Sequence, residues 1–138
     1  MDLLSIDLDG NDYHFLNEIL AKSCDPKIII LEYNAKFPPP VSWIMPYNNT
    51  HTWQQDDYFG ASLSAFDELL RSFGYALICC NSQSGANAFY VKRSYLHLFP
   101  EVPEDIRDIF VPPRYHLPAT YGHKLSLKTI ESIFNSDM

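Results

Sequence analysis

Four oxygen-bearing side chains close two aliphatic runs: Asp7 and Asp9 end DLLSIDLD, and Glu32 and Asn34 end KIIILEYN. Runs of this kind read as strands, and in open α/β sheets ligands bind outside the carboxyl ends of such strands. Acidic and amide oxygens gathered there can hold a divalent cation and orient a substrate hydroxyl. Asp7, Glu32 and Asn34 are therefore candidate metal ligands, and Asp7, Asp9 and Glu32 candidate catalytic carboxylates. Two plainer roles stand beside these: Asp9 can cap the helix that follows, and Asn34 can stabilise a turn.

The stretch from Ala35 to Phe59 has no convincing periodicity. It carries Pro38, Pro39, Pro40 and Pro46 among Phe37, Trp43, Tyr47, Trp53, Tyr58 and Phe59. Irregular loops of this length inside a compact domain are usually lids or binding loops. Trp43, Tyr47 and Trp53 are candidate substrate-stacking rings, with Asn34 beside them as a polar contact. The same rings could instead cover the sheet end as structure. His51, in this loop, is a candidate general base. His14, His97, His116 and His123 show no metal-ligand spacing.

These groups need a frame. Asp2–Asp7 reads as a first strand and Asp12–Lys22 as a helix with Phe15, Leu16, Ile19 and Leu20 along its apolar stripe. Lys27–Tyr33 is a second strand, and strand–helix–strand over this span predicts a parallel pair with a right-handed crossover. A helix over Ala61–Phe73 follows, capped by Ser62 and closed by Gly74. Tyr75–Cys80 and Ala88–Lys92, joined by the polar NSQSGAN, predict an antiparallel hairpin. Beyond Lys92, Pro100, Pro103, Pro112, Pro113 and Pro118 break the chain. A helical turn is expected over Glu104–Phe110, and a terminal helix over Ser126–Asn135 with Leu127, Ile130 and Phe134 on its apolar face.

At 138 residues and 46% hydrophobic content the chain has material for one core. A formal charge of −7 disfavours nucleic acid and anionic lipid as partners. The three cysteines include no CxxC pair, there is no signal-peptide pattern, and no apolar run could span a bilayer. The expected setting is reducing and cytoplasmic.

The segments DLLSIDLDGNDYHFLNEIL, KIIILEYNAKFPP and YFGASLSAFDELLRSFGYALICCNSQSGANAFYV, in that order, resemble the C-terminal half of FkbM-like class I methyltransferases. The resemblance covers about Asp2 to Lys92. It implies half of a Rossmann-like α/β sheet with strand order 1-2-4-3, the last strand antiparallel, helices on the faces, and an irregular proline-rich tail over residues 93–138. It also implies descent from an S-adenosylmethionine-dependent O-methyltransferase. Catechol-type methyltransferases use a similar set of metal-binding oxygens. The glycine-rich cofactor loop of that family has no counterpart, since Gly10, Gly60, Gly74, Gly85 and Gly122 are all far apart. The expectation is a chain that is inactive alone or completed by a partner supplying the cofactor-binding half, with no cofactor-binding residues of its own.

The same half-fold leaves the outer side of the first strand unpaired. That predicts a homodimer, or docking of the missing half, through the strand at residues 2–7, and a non-enzymatic docking module is the corresponding alternative. A third reading comes from SIDLDGND, which also resembles the first motif of haloacid dehalogenase-type phosphatases, with Asp7 as nucleophile and Asp9 as acid and base. Asn11 departs from that motif, and no later lysine and paired-aspartate motif follows a strand.

Overall fold

The computed structural model describes residues 1–117 and 120–135, so Pro118 lies outside the described residues. Its main sheet has the order β1-β2-β4-β3, with β1 at Leu3–Ile6, β2 at Ile28–Glu32, β3 at Tyr75–Cys80 and β4 at Asn87–Lys92. β1 and β2 are parallel, in register from Leu3↔Ile28 to Ile6↔Leu31, and β4 runs antiparallel to both β2 and β3. The 1-2-4-3 order with the last strand reversed thus follows the crossover and hairpin seen in the sequence. A register shift between Leu77 and Cys79 re-phases β3, so that Cys80 turns inward while Cys79 stays exposed.

Helix α1 (Asp12–Ala21) forms the β1–β2 crossover, and α2 (Leu63–Ser72) precedes β3. Ser62 caps α2 as its sequence predicts, its hydroxyl accepting from the Ala65 N–H at 3.2 Å. Alternation along the strands separates the two faces of the sheet. Ile6, Ile29, Leu31, Leu77, Ala88 and Tyr90 share one face and are buried with Leu16 and Leu20 of α1 and Phe66 and Leu70 of α2. Tyr13 of α1 meets Phe66 of α2 at 5.8 Å between ring centroids. Both long helices therefore lie on the same face, which corrects the expectation of helices on both. On the other face Leu3 and Ile28 are 50% and 38% exposed. Phe15, placed in the apolar stripe of α1 by its spacing, is also outside the core. It lies with Ile19 in a shallow cleft beside β1, lined also by Leu4 and Leu8.

The tail begins as a 3-10 helix (Arg93–Leu98) and continues through a short α3 (Ile106–Ile109), both lying against β3. It then crosses the end of the sheet. The Tyr33 hydroxyl donates to the Val111 carbonyl at 2.6 Å, and the Arg114 N–H donates to the Ser84 carbonyl at 2.8 Å. A two-residue hairpin pairs His116–Leu117 with Thr120–Tyr121, ahead of α4 at Leu127–Asn135. Neither the 3-10 helix nor this hairpin has a clear signal in the sequence.

The face that α4 buries also differs from expectation. Leu127 and Phe134 are 76% and 72% exposed, whereas Ser126 and Thr129 are buried. The reason is polar docking. Asp57, fully buried in the long loop, accepts from the Ser126 N–H and the Thr129 hydroxyl, both at 2.8 Å. It thereby caps α4 from a distant part of the chain, and the Trp43 indole N–H adds a 2.9 Å bond to the Ser132 hydroxyl.

Candidate functional site

The β1–β2 register places the two strand-end carboxylates together. Ile6 pairs with Leu31, so the next step sets Asp7 beside Glu32, both turned to the face that carries no long helix. Asp9 completes the group, and one ligand oxygen from each of Asp7, Asp9 and Glu32 lies within 4.8 Å of the others.

The turn that brings Asp9 into place is organised by Asp12. That buried carboxylate accepts from the Leu8 N–H at 2.8 Å and the Gly10 N–H at 2.9 Å. Asp9 itself adopts a left-handed backbone, φ 53°. The residue at the N-cap of α1 is Asn11, so Asp9 does not cap the helix. Its carboxylate remains exposed next to Asp7 and Glu32.

Electrostatics follow from this crowding. Burial, and then the charges of Asp7, Asp12 and Asp9, push the Glu32 carboxyl up to about 8. Asp7 is raised as well, by burial first and then by Asp9 and Asp12. Three hard oxygen donors that repel one another in this way suit a divalent cation of the calcium or magnesium type, whose charge would relieve the repulsion.

The other sequence candidates fall in different places. Asn34 is buried and committed to the long loop: its amide donates to the Asp57 and Phe59 carbonyls at 2.8 and 3.1 Å, and its oxygen accepts from the Lys36 N–H at 3.2 Å. With both N–H donors and one lone pair engaged, it is a strut of the loop rather than an open ligand. Trp43 is likewise inward, stacked on Phe37 at 4.6 Å with its N–H on Ser132. Tyr47 is 59% exposed and meets His14 edge-on. Trp53 donates its N–H to the Asp56 carbonyl at 2.8 Å and turns its ring toward His123.

His51 sits over the acidic turn. Its Nε2 lies 3.1 Å from the Asp9 carbonyl, and a β-carbon on Gly10 would come within 2.4 Å of its ring. A carbonyl can only accept, so this contact places the proton on Nε2 and leaves Nδ1 as the basic nitrogen. A side chain at Gly10 would force this imidazole to shift from its place over the turn.

The tail contributes a pair that the sequence did not reveal. The Tyr115 hydroxyl and His123 Nδ1 are 2.7 Å apart, and the imidazole is surrounded by Trp53, Phe59 and Tyr115 with ring centroids 4.9–5.2 Å away. Burial and then the Glu32 charge push the Tyr115 phenol up to about 12. Burial holds the His123 imidazole below its usual range. Neither residue stands in a recognisable motif, and only the return of the tail puts them here.

No family model matches the chain, and no curated protein or solved structure matches it. Among the described residues, no helix is long and apolar enough to cross a membrane.

Proposed function

We propose that this chain is a methyltransferase-like module that supplies the acceptor side of an O-methyl-transfer site. The observation that carries the reading is the parallel β1–β2 pair that ends in adjacent carboxylates, within a sheet of order 1-2-4-3. Asp7, Asp9 and Glu32 would hold a divalent cation and, beside it, a substrate hydroxyl; the cation would supply Lewis-acid polarisation of that oxygen. The new O–C bond would form as the donor's sulfur–methyl bond breaks and the thioether S-adenosylhomocysteine leaves. The hydroxyl proton would pass to a base, and His51, whose Nε2 is held on the Asp9 carbonyl, would offer its Nδ1 for that role. Trp53 and Tyr47 provide aromatic surface near the loop, whereas Trp43 and Asn34 act through the structure of the loop itself.

The methyl donor, S-adenosylmethionine, would be held by a partner segment that brings the glycine-rich loop. The outer edge of β1 is its place of attachment, because β1 pairs only with β2 among the described residues. The same edge allows two copies to pair about a two-fold axis. Calorimetric titration of the 138-residue chain should show no saturable heat at micromolar S-adenosylmethionine. When an active complex is assembled, Asp7→Ala and Glu32→Ala should each depress methyl transfer by roughly a hundredfold or more without unfolding the protein. Tight cofactor binding by the chain alone, or unchanged transfer in both variants, would overturn the proposal.

A further inference from the structure

A cleft of about 650 Å³ opens between the end of α2, the first half of β3 and the early tail. β3 points the same way as β1 and β2, so its first residues lie at the opposite end of the sheet from Asp7 and Glu32, and on the opposite edge. The cleft is therefore separate from the acidic cluster. Its volume is in the range of small-molecule sites.

Two of the chain's four arginines, Arg71 and Arg93, line it. Arg71 is oriented from behind: its Nε donates to Asp67 Oδ2 at 2.6 Å, and Asp67 is 6% exposed. That bond leaves the terminal guanidinium nitrogens available as donors. Arg93 is anchored at its root, where its N–H donates to the Gly74 carbonyl at 2.9 Å. The rest of the wall is mainly aliphatic and aromatic, including Leu96, Phe99 and Ile109, and Phe99 is 37% exposed.

We propose that this cleft binds a medium-chain carboxylate, with the head group on Arg71 and Arg93 and the alkyl chain along Leu96, Phe99 and Ile109. Planar guanidinium groups match a carboxylate through paired N–H donors, and the apolar wall accounts for the chain. Glu104 and His97 also line the cleft and Asp67 pairs with Arg71, so with His97 neutral the formal charges of Arg71, Arg93, Asp67 and Glu104 cancel. A dianionic phosphate or an anionic membrane would meet Glu104 and the net charge of −7, whereas a monoanion recognised by direct hydrogen bonds would not be repelled to the same degree.

NMR titration of the whole chain with sodium octanoate, below its micelle concentration, tests the proposal. Saturable shifts are expected at the amides of Leu77, Arg93 and Phe99. Octanol and acetate, which lack the head group and the chain respectively, should each bind at least roughly tenfold more weakly. Arg93→Gln, at an exposed side chain, should keep the native spectrum and weaken octanoate by a similar factor, and Phe99→Ser should do the same from the apolar side. Absence of saturation, equal binding of octanol, or octanoate affinity unchanged in both variants would overturn it.

Discussion

The two edge strands of the sheet are treated in opposite ways. β3 has the 3-10 helix and α3 packed against it, with the arginine-lined cleft between them, and the tail then crosses the sheet end to reach the long loop. Among the described residues β1, four residues long, pairs on one side only, and Leu3 at its start and Leu8 just beyond its end are exposed. The acidic cluster belongs to this open side. An edge flanked by its own chain is shielded from pairing with the edge of a second sheet. An open edge beside unbalanced carboxylates is suited to receive something.

The comparison breaks most sharply at Gly85, in the β3–β4 connector. It has φ +66°, and a β-carbon there would lie 2.2 Å from the Pro112 carbonyl oxygen and 2.7 Å from that of Val111. Both neighbours are backbone, so Gly85→Ala should cost about 3–4 kcal/mol and loosen the tail from the sheet end, measured by urea unfolding and amide exchange at residues 110–115. Asp57→Ala should cost slightly less, about 2–3 kcal/mol. It removes two buried hydrogen bonds to α4 and the longer-range attraction to Lys36 at 3.8 Å. Exchange should quicken in α4 while β1 and β2 keep their protection.

On the open side the expected effect is one of pH. Glu32 has its carboxyl raised in the fold, to about 8 from an ordinary value of 4.5. Below pH 4.5 both folded and unfolded chains hold this proton, and stability is unaffected. Between 4.5 and 8 the unfolded chain releases it while the folded chain retains it, so stability falls as pH rises. Glu32→Gln should therefore gain about 1–3 kcal/mol over the wild type at pH 8.5 relative to pH 4.5, read from paired denaturant titrations. An equal difference at both pH values would show that the cluster does not strain the fold. The smallest effect belongs to Leu3→Lys, which should change monomer stability by no more than about 0.5 kcal/mol. It should nonetheless shift light scattering from a dimer toward the 15.9 kDa monomer by placing a charge on the edge. A wild-type chain that is already monomeric at micromolar concentration would remove the paired-edge part of the proposal.

The sequence made the sheet legible because its strands are continuous aliphatic runs, β1 and β2 are joined by a single helix, and the β3–β4 connector is short. Strand ends fall within a residue or two of those expected for DLLSID, KIIILEY and YALICC, and Ser62 is the cap that its position suggests. The Asp7–Asp9–Glu32 cluster was readable for the same reason, since parallel neighbours bring their ends together. What could not be read is whatever depends on distant docking. The spacing of Leu127, Ile130 and Phe134 identifies a helix, but its neighbour is set by Asp57, 69 and 72 residues away from the two groups it bonds. Tyr115 and His123 reach the site by the same return of the tail, and Asn34 and Trp43 look like ligand contacts until their hydrogen bonds show them holding the loop. The two helices on one face were also outside local pattern, because periodicity fixes which stripe is apolar and not which side of a sheet receives it.

Both tryptophans of the chain lie in the long loop, with the Trp43 N–H on Ser132 of α4 and the Trp53 ring against His123 of the tail. Their emission therefore reports on the seam between loop and tail, and not on the sheet. A melt followed by tryptophan fluorescence would red-shift when that seam opens, while far-ultraviolet dichroism at the same temperature would still register intact strands and helices. Coincidence of the two curves would mean that the tail and sheet unfold as one unit, and separation would measure how independently the tail lets go.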